Sequence, residues 1–200
     1  MGKTDNLTKA LRGFLNDTDA EEISRLLDRV VKSGKITFED AERTVKSDIE
    51  DILLLALKWR LLLPVRASKA GDWEDRMVIP RQGEIYHSPN VVRHLVKNAQ
   101  VNGTWDPEKA IFEVFKSKGE TDTDKMPVLV ERMASVLKGH RINGNQIKAI
   151  CKELGLETKI DPLVSELKAC GILSHKLSSL TEVSKAGAPL YEINPSLLVG

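Results

Sequence analysis

Ile23, Leu26, Leu27, Val30 and Val31 recur at intervals of three, four, seven and eight residues. At 3.6 residues per turn that spacing sets all five on one side of an α-helix. No other feature constrains the chain as much, because an apolar stripe of this width has to be covered by further elements. The stripe predicts a helix over 19–33, opened by a capping box of Thr18 and Glu21. Thr37 can cap a shorter helix over FEDAERTVK, and Ser47 with Glu50 forms a second capping box ahead of DILLLALKWRLL. LLPVRASK and DRMVIPRQ then flank the turn-forming AGDWE, which is the pattern of a hairpin. Three helices and a hairpin therefore fill residues 1–87, while Gly2-Lys3-Thr4 reads as an unstructured terminus.

Residues 88–122 predict two amphipathic helices, each opened by a capping residue and a proline, Ser88-Pro89 and Asp106-Pro107. Val91, Val92, Leu95, Val96 and Ala99 stripe the first; Ala110, Ile111, Val114 and Phe115 stripe the second. KSKGETDTDK, 116–125, lacks apolar residues before its end and reads as a linker. Residues 123–200 then repeat the first order. Leu129 with Met133, Ile147 with Ile150 and Cys151, and Leu163 with Leu167 and Cys170 stripe three more helices. Asp161 caps the last of these, and Gly171 stands where a left-handed C-terminal cap is expected. The strands ILSHKL and PLYEINPSL close the second unit, and Ser-Lys-Ala-Gly occurs in both hairpin regions, at 68–71 and 184–187.

This order of elements resembles the winged helix-turn-helix superfamily, most clearly over 123–198 and again over 18–82. INGNQIKAICKELGL followed by IDPLVSELKACGIL is similar to that family's second and third helices, joined by a short turn containing Gly155. The expected fold is mainly α (α+β): two winged-helix units, each three helices plus a β-hairpin, joined by two amphipathic helices. The resemblance implies a third helix presented to the major groove of double-stranded DNA and a hairpin loop that supplies Lys or Arg to phosphates.

Charge adds a restriction. Thirty Lys and Arg against 29 Asp and Glu leave a formal net charge of +1, so no global field draws the chain to nucleic acid or a membrane. The longest apolar run, Ile52 to Leu57, is far too short to span a bilayer, and MGKTDNLTKALRGF is too polar for a signal peptide. The expectation is a cytoplasmic protein without membrane contact. Cys151 and Cys170 form no CxxC and fall on core stripes; the four histidines have neither HxxxH nor HExxH spacing. GxSxG, GxxxxGK[ST] and a GxGxxG after a strand are all missing, so neither enzymatic chemistry nor a cofactor or metal is expected.

Two binding classes remain. In the second unit, Lys148, Lys152, Lys159, Ser165, Lys168, Lys176 and Lys185 are the candidates for DNA contact, although Asp161 and Glu166 share the third helix. In the first unit, Leu54, Leu57 and Leu61 form a second apolar stripe on the third helix, and Trp73 sits on the acidic hairpin tip GDWED. Those four residues are the candidates for protein contact. Their partner is either the 88–117 helices of the same chain or, as winged-helix regulators imply, a second copy. A protein-interaction adaptor is the competing class to a DNA-binding regulator.

Overall fold

The computed structural model describes residues 2–65, 80–176, 184 and 186–199. The fold is mainly α, with two small three-stranded antiparallel sheets among these residues. Trp73, Lys185, the GDWED tip and the first Ser-Lys-Ala-Gly lie outside the described residues.

Helix α1 (Lys3–Leu11) replaces the expected unstructured start. Its Leu7, Ala10 and Leu11 are buried, and the Thr8 hydroxyl meets that of Ser24 at 2.8 Å, so the short helix is held by packing that its polar sequence does not advertise. Helix α2 (Asp17–Ser33) carries the apolar stripe that opened the sequence reading, with Ile23, Leu26, Leu27 and Val30 fully buried. Asn16 caps it by accepting from the Asp19 N–H, in place of the expected Thr18 box. Strand β1 (Ile36–Thr37) leads into α3 (Phe38–Glu42), where Thr37 caps as expected by accepting from Asp40 N–H. Helix α4 (Ile49–Lys58) is capped by Asp48 rather than Ser47.

Strand β2 (Leu63–Pro64) matches the expected first arm of the hairpin. Its partner β3 (Ile85–His87) lies beyond the expected 75–82, of which residues 80–82 are not in a strand. The sheet has order β1-β3-β2, so β3 pairs on both sides: Ile36 opposite Tyr86, and Pro64 opposite the same Tyr86. Helices α5 (Asn90–Asn102) and α6 (Pro107–Ser117) follow. Asp106 caps α6 as expected, whereas Ser88 caps nothing and donates instead to Leu61 O at 2.9 Å.

The second unit runs α7 (Lys125–Ser135), β4 (Ile142–Asn143), α8 (Gly144–Glu153), a 3-10 turn (Glu157–Lys159), α9 (Ile160–Ala169), β5 (Leu173–His175) and β6 (Leu190–Ile193). Its sheet has order β4-β6-β5, and Tyr191 on β6 faces Ile142 and His175. Apart from α1 and the 3-10 turn, the order of the described elements and the strand order are thus the same in both units. Even the helix ends agree. After α4, Leu61 N–H reaches Ala56 O and Arg60 N–H reaches Leu57 O; after α9, Ile172 N–H reaches Leu167 O and Gly171 N–H reaches Lys168 O. This is a Schellman closure, which needs a left-handed residue at its penultimate place. Gly171 takes φ 78° there, and Arg60 takes φ 53°.

One connected core runs from Leu7 to Leu197, and contacts cross both expected domain boundaries. The Arg60 guanidinium donates to Glu192 Oε1 from Nε at 3.2 Å and from Nη2 at 2.9 Å, with only 18% and 13% of the two side chains exposed. Asn194 donates to Gly171 O and Arg60 O, and Val91 N–H donates to Cys170 O at 3.0 Å. Pro89 lies against Gly171, where a Cβ would stand 2.4 Å from that of the proline. The Phe14 ring meets Trp59 at 4.9 Å and Trp105 at 5.5 Å in tilted contacts, and the Trp105 indole N–H donates to Ser196 O at 2.8 Å. The first helix end, the α5–α6 loop and the chain's C-terminal turn are joined by these contacts.

Candidate nucleic-acid interface

The outward side of α9 is the surface on which DNA reading was expected. Leu163 and Leu167 face the core, leaving Asp161, Pro162, Ser165 and Ala169 exposed. Lys168 is half-buried on the flank of that stripe, and Glu166 is half-buried beside it. Lys159, at the start of the helix, is engaged within the chain: its Nζ lies 3.0 Å from Glu120 Oε1, 3.0 Å from Thr121 Oγ1 and 2.7 Å from Asp122 Oδ2. The expected linker is therefore tied to the second unit. Hydrogen bonds from the Asp122 backbone and from Lys159 hold the Glu120 carboxyl below its ordinary range, Lys159 does the same for Asp122, and the two carboxylates push the lysine up. Lys176 stands 3.7 Å from Glu192 Oε2, with 18% of its side chain exposed. Of the described lysine candidates, Lys148 and Lys152 are the two that are exposed.

Those two lysines are neighbours on α8. Ile147, Ile150 and Cys151 bury one side of that helix, which turns Asn145, Lys148, Ala149, Lys152 and Glu153 to solvent. Glu153 is taken by Arg132 at 2.7 Å. Immediately ahead of β4, Lys138 and Arg141 bridge each other through two backbone hydrogen bonds, 3.0 and 3.1 Å, around Gly139 and His140. Both central residues have positive φ, 57° and 63°, as a type I′ turn requires. Lys138, Gly139 and His140 are exposed at its tip.

Sequence reasoning named Lys148 and Lys152 but missed Lys138 and its turn, although the signal is plain. From Arg132 to Lys152 the chain has five Lys or Arg and no Asp or Glu. A sliding charge window finds that run; totals taken over whole units dilute it with the acids on either side.

The first unit differs at the equivalent helices. Helix α3 carries Glu39, Asp40 and Glu42, and the first turn of α4 carries Glu50 and Asp51 behind the Asp48 cap. Of the stripe expected for protein contact, Leu61 is fully buried in the core, because the chain turns inward after Arg60. Leu57 is half-buried, and Leu54 is 46% exposed.

An open apolar recess of about 560 Å³ lies between α6, α7 and the C-terminal turn; its titratable lining is Glu108 and Glu131. Cys151 and Cys170 are fully buried free thiols, and burial pushes both up, away from thiolate character. Among the described residues no group of His, Cys, Asp and Glu could hold a metal, and no helix is long and apolar enough to cross a membrane.

A protein-family model matches the chain over residues 5–200. No curated protein and no solved structure matches it.

Proposed function

The chain belongs to the family whose model covers residues 5–200, a span that includes both units, and on that premise we propose a non-enzymatic protein of two winged-helix units whose second unit binds double-stranded DNA. The shared order of helix, strand, helix, helix, strand, strand, with the third strand central in each sheet, supports the winged-helix reading. The observation that carries the DNA reading is the acid-free stretch 132–152, which exposes Lys138, Lys148 and Lys152 with no ion-pair partner for them among the described residues. Cations so placed release counterions from a duplex, and each phosphate neutralised steepens the dependence on salt.

The test is the affinity of the full chain for a fluorescent 20-base-pair duplex, measured by anisotropy across salt concentrations. Neutralising about three phosphates predicts a loss of roughly 40-fold between 50 and 200 mM salt. No detectable binding at low salt contradicts the proposal.

A second reading, a protein-interaction adaptor, is favoured by one observation: Leu54 is 46% exposed on α4 with Leu57 half-buried one turn on. On that reading Leu54→Asp or Leu57→Asp changes the oligomeric state or abolishes capture of a protein partner. A folded variant with unaltered mass in solution and unaltered capture removes its support.

A further inference from the structure

Resting on the duplex-binding reading, we infer that the second unit holds DNA by its phosphates alone, through the outward side of α8 and the Lys138–Arg141 turn, without base reading by α9.

The argument begins with what α9 can offer a groove. Direct reading of bases uses side chains that present paired donors or acceptors: Arg or Lys to guanine, Asn or Gln to adenine. The exposed stripe of α9 is Asp161, Pro162, Ser165 and Ala169, which contains none of these. Its one charge, Asp161, is of the wrong sign for a groove walled by phosphates. Lys159 cannot compensate, being held by two carboxylates, and Lys168 is half-buried on the flank. A helix with this surface has no bidentate reader, and its single-contact groups, Asp161, Ser165 and Ala169, offer little discrimination between base pairs.

The side of α8 has the opposite composition. Lys148 and Lys152 are four residues apart on one face, about 6 Å along the axis. The acid at the end of that face, Glu153, is already neutralised by Arg132. The Lys138–Arg141 turn adjoins the helix through a strand of only two residues, and its two cross-turn hydrogen bonds fix where Lys138 emerges. Cations fixed before binding lose less conformational freedom on meeting an anion than cations on a floppy loop. Each Lys is a point charge that suits a phosphate of any sequence context. Contacts made by these three lysines carry affinity and no sequence information.

The experiment compares two unrelated 20-base-pair duplexes against the full chain and its variants at 50 mM salt. The expected result is affinities within threefold for the two sequences. Lys138→Ala with Lys148→Ala and Lys152→Ala together should lose at least 30-fold and flatten the salt slope by nearly three, about 0.9 for each lost contact. Lys148→Arg with Lys152→Arg should keep wild-type affinity, and Ser165→Ala with Lys168→Ala should stay within threefold. An unchanged melting temperature for each variant removes misfolding as the cause. If instead the duplexes differ tenfold or more, or the α9 variants lose binding while the triple lysine variant keeps it, the inference is overturned and the duplex-binding reading stands. If the wild-type chain binds neither duplex, both fall together.

Discussion

The two units are built on one frame and finished in opposite ways. Ile36 and Ile142 stand opposite Tyr86 and Tyr191; α4 and α9 end in the same closure; Thr37 and Asn143 cap the helices that follow the first strands. All of these positions are buried or backbone-bonded. Where the frame meets solvent the likeness ends: the second helix of the first unit carries Glu39, Asp40 and Glu42, and that of the second carries Lys148 and Lys152. Burial restricts what a core position can hold, whereas an exposed position is free to take either charge. On the proposed reading, the difference assigns duplex binding to the surface of one unit and leaves the other to support it.

The sharpest way to break the comparison lies at the two helix closures. Gly171→Ala places a Cβ 2.4 Å from Pro89 at φ 78°, adding overpacking to left-handed strain. The expected cost is about 3 kcal/mol, a fall of roughly 6–12 °C in Tm, measurable by calorimetry. Arg60→Gly at the equivalent place relieves the same strain but removes the Glu192 pair, so it should destabilise by less, about 1 kcal/mol. A larger loss at Arg60 than at Gly171 contradicts the equivalence of the two closures.

Glu192→Ala is next in size. It leaves the largely buried Arg60 guanidinium without its carboxylate and should cost about 2 kcal/mol in urea unfolding. Adding Arg60→Gly on top of it should cost little more, because the two residues act as a pair.

The smallest effect concerns Lys159. Glu120 and Asp122 titrate below their ordinary ranges in the fold, so their contribution is full above the unfolded carboxylate values, near pH 4, and is lost as pH falls through the lower folded ones. Lys159 titrates above its ordinary value, so its contribution is present below about pH 10 and lost at higher pH. Lys159→Ala should therefore lower the urea midpoint slightly at pH 7 and reduce its fall between pH 5 and pH 3. An unchanged acid slope would show that Lys159 does not hold the linker.

The stripes of α2, α5, α6 and α9 were legible because 3.6-residue periodicity survives in any amphipathic helix, and Gly155 and Gly171 were legible because few residues suit a left-handed cap. The strands Ile36–Thr37 and Ile142–Asn143 were not, since two residues cannot display a period. Helix α1 was hidden by its polar composition, and β3 was missed because a strand of three residues displays almost no period, whereas residues 75–79 of the expected second arm lie outside the described ones. At the candidate site, Lys148 and Lys152 were named from sequence, whereas the capture of Lys159 by Glu120 and Asp122 and of Arg60 by Glu192 depends on residues far apart in the chain. Arg60 also occupies a place where local rules call for glycine, which conceals the second helix closure.

The contrast between the units is tested most directly by titrating an unlabelled duplex into the ¹⁵N-labelled full chain and mapping which backbone amides shift. The account predicts shifts concentrated in 138–152, with the equivalent segment of the first unit, 32–46, undisturbed. Shifts confined to 160–169, or falling on 32–46, would contradict it.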